Sequence, residues 1–225
     1  MTRSSMGIRL AVLAAVAVAI VLVAVVVAGG GGDDDNGGGS PAAAKSALQG
    51  IPQSGITLGS PDAPVTMVEF ADLQCPFCAE YHQNVFPTLL RRYVRTGKVR
   101  LELHLLRFLG PDSDRLARVA AAASAQNRMW QFVGLAYQRQ GAENSGYATD
   151  DFINTLAADA GLASADAGSA AERLVRQGEN QARSAGVEST PSFLIGPTGG
   201  TLERFQPSDL TPGAFTPRIE EELAK

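Results

Sequence analysis

The chain has 225 residues, of which 19 are basic and 23 acidic, and it carries two cysteines. The balance is mildly acidic, with a net charge of −4, and no basic stripe breaks it, which excludes nucleic acid as a partner. Both cysteines lie in one C-x-x-C, which excludes a disulfide-stapled scaffold: a bond across so short a loop removes little chain entropy.

Leu10 to Ala28 is an unbroken apolar run of 19 residues, preceded by Arg3 and Arg9 and followed by Asp33-Asp34-Asp35. That length spans a bilayer, and the flanking charges place the N-terminus in the cytoplasm. Residues 1–28 are therefore expected to form a transmembrane anchor. A cleaved secretory signal is the alternative, with Val26 and Ala28 at the −3 and −1 positions. Either way the rest of the chain is expected outside the cytoplasm, membrane-anchored or secreted. Residues 29–50, rich in Gly, Asp and Ala, build no core and read as a flexible linker. Residues 51–225 suffice for one well-buried domain.

Gly59 to Pro64 reads as a turn. Val65 to Phe70 has the apolar, β-rich pattern of a central strand buried on both faces, interrupted by Glu69. The thiol motif Cys75-Pro76-Phe77-Cys78 follows. Ala79 to Thr96 reads as a helix ended by Gly97, with Pro87 predicting a kink. Val99 to Leu106 alternates as a second strand. Helical patterns then cover Asp112 to Asn127 and Met129 to Gln140. A further helix runs from a Thr149 cap to Ala160 and Gly161, and another from a Ser164 cap to near Gly186. This span is too long for a loop, so residues of about 111–186 read as an all-helical insertion with Trp130 in its core. Strand character returns at Ser192 to Ile195 and Thr201 to Phe205, around a turn at 197–200. Residues 212–224 read as a last helix.

This is an α/β order, and it resembles the thioredoxin fold with an all-helical insertion. In detail it resembles the DsbA-like thiol–disulfide oxidoreductases in their membrane-anchored form. The carrying residues are Ser60-Pro61-Asp62-Ala63-Pro64-Val65, Glu69-Phe70-Ala71-Asp72, Cys75-Pro76-Phe77-Cys78 and Val187-Glu188-Ser189-Thr190-Pro191-Ser192-Phe193.

Cys75 is expected at a helix N-terminus, where unpaired N–H groups and the helix dipole favour a thiolate, so it is the expected nucleophile. Cys78, one turn further in, suits the resolving role. Pro76 and Phe77 govern which N–H groups reach the Cys75 sulfur and what packs on it, and so tune the redox potential. Two alternatives stay open: an inert buried pair, and a metal site. Cys75, Cys78 and His82 share one helical face, and His104 is the other histidine, but no second thiol pair accompanies them and proline sits inside the motif. His82 otherwise reads as a polar residue on the helix surface and His104 as a sheet-face residue. A carboxylate in a buried strand is costly unless paired or protonated; the other reading of Glu69 is a strand-end residue reaching solvent. Glu102 and His104 are candidate neighbours for it.

The resemblance implies that Glu69 relays a proton to or from the buried Cys78. It implies that Thr190-Pro191 is a cis-proline loop facing the thiols, whose Thr190 backbone pairs with a substrate segment. It also implies exchange with exported protein or peptide thiols and a membrane oxidase that regenerates the Cys75–Cys78 disulfide. No other cofactor and no metal is implied. Related isomerases dimerise through a folded N-terminal domain, which residues 29–50 cannot supply. The chain is thus expected to be a monomeric oxidase rather than an isomerase, with a reductase as the alternative, and a non-catalytic chaperone-like binding domain as the competing class.

Overall fold

The computed structural model describes residues 46–225. The apolar run at 10–28 and most of the stretch at 29–50 lie outside the described residues. From its start the described chain is packed. Leu48 and Ile51 are buried in the core, and Arg95 donates to the carbonyls of Ala47 (2.7 Å) and Gln49 (2.9 Å).

The strands are β1 (Gln53–Ser54), β2 (Thr57–Leu58), β3 (Val65–Ala71), β4 (Val99–Leu105), β5 (Ser192–Pro197) and β6 (Glu203–Phe205). They form one sheet in the order β1-β2-β4-β3-β5-β6. Every residue of the apolar β3 is buried, as its sequence requires of a central strand. It pairs in parallel with β4, from Val65–Val99 to Ala71–Leu105, and antiparallel with β5. A parallel pair needs a crossover. Here α1 (Pro76–Asn84), α2 (Phe86–Leu89) and a π-helical turn (Leu90–Val94) supply it.

The expected kink is present, but it falls at Val85, ahead of Pro87. Pro87 takes a first-turn position of α2, where its missing N–H costs nothing. The π turn was not foreseen: the Arg95 N–H reaches five residues back to the Leu90 carbonyl at 2.9 Å.

The helical insertion comprises α3 (Pro111–Ser124), α4 (Met129–Gln138), α5 (Asp150–Ala160) and α6 (Ser169–Ser184). Thr149 caps α5 by accepting from the Phe152 N–H, and Gly161 closes it in the left-handed conformation at φ 78°. Ser164 does not cap α6, which starts at Ser169 behind Gly168. The Ser164 hydroxyl instead accepts from the Asp166 N–H at 3.0 Å, a local turn that competes with the cap. β6 begins at Glu203 rather than Thr201. Before it, the chain passes so close to Gly196 that a Cβ there would stand 2.5 Å from the Thr201 carbonyl. The last helix is α7 (Pro212–Leu223).

Strand alternation divides the core. Met67, Ala71, Leu101, Leu103 and Phe193 join the larger cluster, with Cys78, Tyr81 and Trp130. Val68, Phe70 and Leu194 join a smaller one, with Ala182 and Val187. The register also corrects one expectation. Glu69 lies opposite Leu103, whereas Glu102 and His104 lie opposite Val68 and Phe70, so both project to the other face from Glu69. Among the described residues no helix is long and apolar enough to cross a membrane.

Candidate active site

The thiol motif sits where β3 ends and α1 begins. Cys75 is the N-cap of α1, in extended conformation, and Pro76 follows with its fixed φ already suited to a helix. The Cys75 N–H closes a turn onto the Asp72 carbonyl at 3.0 Å. Both cysteines are free thiols, and Cys75 donates to the Thr190 carbonyl at 3.3 Å, across 115 residues of sequence. The Thr190–Pro191 bond is cis, and the Ser192 hydroxyl donates to the Ser189 carbonyl within the same loop. Phe77, beside the sulfurs in sequence, is 60% exposed.

The two thiols are pushed in opposite directions. The Cys75 value falls from 9.0 to about 6. A hydrogen bond from the Cys78 side chain is the largest cause; the Thr190 side chain and the N–H groups of Cys78 and Phe77 add to it, against burial. Donors aimed at a sulfur stabilise the thiolate. Cys78 is pushed well up, first by burial, then by its bond to Cys75 and by the charges of Cys75 and Glu69. Cys75, 5% exposed, thus favours the thiolate, beside a fully buried Cys78 that favours the thiol.

Glu69 does not reach solvent; it is 3% exposed. His82 is buried too, contrary to its reading as a surface residue, and its Nε2 stands 3.2 Å from both Glu69 oxygens. The ring packs against Tyr137 (centroids 4.5 Å) and Phe86 (4.8 Å). His104 stacks on Phe70 at 5.5 Å, on the opposite side of the sheet. The four residues weighed for a metal site are therefore not brought together.

Asp72, named in the sequence only within a stretch that carries the resemblance, anchors the thiol loop. Its fully buried carboxylate accepts four hydrogen bonds, from the Ser113 hydroxyl (2.6 Å) and the N–H groups of Gln74 (2.8 Å), Phe108 (2.8 Å) and Leu109 (3.1 Å). Around it Gln74 donates to Leu109 and Ser113 and accepts from the Asn144 N–H. Gln140 donates to the carbonyls of Leu73 and Cys75. This network fixes the backbone that carries Cys75 to the helical insertion. The bond from the Gln74 N–H to Asp72 is an Asx turn and could have been read locally. The other partners lie more than 30 positions away and leave no local signal.

Residues 52–201 match the family model described as Thioredoxin. The chain is 35% identical over 102 residues to the probable disulfide bond formation protein D of Bacillus cereus, which covers 44% of this chain and 47% of that protein. It thus spans about half the length of the curated relatives it matches. Its fold is similar to that of oxidised BdbD from Bacillus subtilis, with a TM-score of 0.63 at 20% identity, covering 76% of this chain and 93% of that one. Wolbachia pipientis alpha-DsbA1 superposes equally well, with a TM-score of 0.63 at 20% identity, covering 75% and 90%.

Proposed function

We propose that this chain, which belongs to the thioredoxin family, is a thiol–disulfide oxidoreductase that forms disulfides in exported proteins. One observation carries the reading: Cys75 is held at about 6 by donors converging on its sulfur, while burial keeps Cys78 protonated. A substrate thiolate attacks Cys75 of the oxidised pair. The Cys75–Cys78 bond breaks, its electron pair goes to Cys78, and a mixed disulfide forms through Cys75. A second substrate thiolate attacks the substrate sulfur and releases Cys75, a good leaving group because its thiolate is stabilised. The same stabilisation favours the reduced form, which makes the disulfide oxidising and supports an oxidase over a reductase or isomerase.

In this reading Glu69, beneath Cys78, handles its proton, Pro76 and Phe77 tune the potential, and the Thr190-Pro191 loop receives the substrate backbone beside Cys75. The disulfide is the sole redox group. The names of the curated relatives support disulfide formation. The apolar run at 10–28 supports a site outside the cytoplasm, tethered to the membrane or secreted after cleavage. A membrane oxidase as the regenerating partner, which the family resemblance implies, and a monomeric chain complete the reading.

Trapping tests the reading. Cys78→Ser should accumulate mixed disulfides with exported thiol proteins, resolved by reductant on gels, and Cys75→Ser should accumulate none. Equal trapping by both variants, or by neither, would contradict it and favour a binding domain with an idle dithiol.

A further inference from the structure

A buried glutamate needs a partner, and most often that partner is a permanent cation. Here the partner is the imidazole of His82 on α1, a group that can hold or release a proton. His82 Nε2 is equidistant from both Glu69 oxygens at 3.2 Å, and both side chains are buried. His82 follows Cys78 by four residues on α1, so the two share one face of the helix, and the contact with Glu69 turns that face toward β3.

We propose that Glu69 and His82 act as one proton-holding pair for the Cys78 sulfur, with His82 as a positioning residue of the exchange reaction. This deepens the oxidoreductase reading and rests on it. The groups facing the pair leave few other routes for the proton. From α1 these are Cys78 and Tyr81, and from α4 Tyr137. On the flanking strands Glu69 has the apolar register neighbours Leu103 and Phe193. Burial pushes both tyrosines well up, so they stay protonated at working pH.

The step balances on the residues present. When substrate thiolate breaks the Cys75–Cys78 bond, Cys78 leaves with the electron pair. The carboxyl group of Glu69 gives that sulfur the one proton it shares with His82, leaving a carboxylate beside a neutral imidazole. In the reverse step the proton returns by the same route as Cys78 becomes the attacking thiolate. The charge left in the buried site is then shared by carboxylate and imidazole rather than carried by one group.

The test follows the second step of oxidation by glutathione disulfide, in the full chain, by rapid acid quench between pH 5 and 9. Cys75 first forms a mixed disulfide with glutathione, and Cys78 then attacks Cys75 and expels the glutathione thiolate. His82→Gln keeps an N–H donor for Glu69 but cannot hold a second proton. Its second step should be about tenfold slower near pH 7 and lose the pH dependence that the parent chain shows. The double variant with Glu69→Gln should be no slower than Glu69→Gln alone, because the pair acts as a unit. A His82→Gln profile like that of the parent chain overturns the pair and leaves the oxidoreductase reading standing. A parent chain that reacts no faster than Cys75→Ser overturns both. Should His82→Gln fail to fold, Glu69→Gln must lose the same pH variation, and its retention overturns the pair.

Discussion

At the scale of single residues, the chemistry depends on where donors point. The largest cause lowering Cys75 is the Cys78 side chain, so the two replacements of Cys78 should differ. Cys78→Ala removes the donor and should raise the Cys75 value, whereas Cys78→Ser keeps an O–H and should raise it less. Thiolate absorbance followed against pH distinguishes them; equal shifts would show that the Cys78 bond is not the cause.

His104 is the opposite case, a histidine with no acceptor for its buried Nε2. Burial pushes its value from 6.5 down to about 4. The folded chain therefore binds this proton less readily than the unfolded chain. Its contribution is whole above pH 6.5 and is lost as pH falls toward 4, by up to about 3 kcal/mol. His104→Phe should remove that part of the acid sensitivity. Urea midpoints of both chains at pH 7 and 4.5 would show it, and an unchanged drop in the variant would contradict it.

At the scale of elements, α6 crosses the sheet closely enough that Gly178 has a structural task. A Cβ there would stand 3.2 Å from His104 Cβ and 3.3 Å from Nδ1, and His104 is held from the other side by Phe70. Gly to Ala inside an exposed helix gains about 1 kcal/mol. Gly178→Ala should instead lose stability in denaturant unfolding, because neither ring can give way; a gain would show that α6 shifts freely.

Elements whose signals are local were legible. The Thr149 cap and the Gly161 stop of α5 are written within a few residues of each end. The Ser164 cap was misread because the same hydroxyl can close a turn onto Asp166, and sequence does not say which bond wins. The π turn at Leu90–Val94 adds one residue to a helical pattern without changing its composition, and so it left no trace.

At the scale of the molecule, Asp72 joins the two halves of the design. Removing its carboxylate takes the acceptor from four donors of the thiol loop, the loop after β4 and α3, two of them in buried and two in half-buried bonds. Asp72→Ala should cost about 3 kcal/mol or more in unfolding and raise the Cys75 value as the loop loosens. A loss below about 1 kcal/mol would show that the loop holds its place without it. The fold was legible because element order, the β3 pattern and the thiol spacing agree with one another. The geometry around the thiols was legible in part: Cys75 N-caps α1, Glu69 is buried, and the cis Thr190–Pro191 loop faces Cys75. His82 was not, since helical periodicity shows which residues share a face and not that β3 places a carboxylate opposite this one. Thiolate stabilisation at Cys75 should make the disulfide oxidising, and equilibration of the full chain with defined glutathione buffers measures this. A reduction potential less negative than about −200 mV is expected; one near that of thioredoxin, about −270 mV, would show that the Cys75 thiolate is not stabilised enough to make an oxidant.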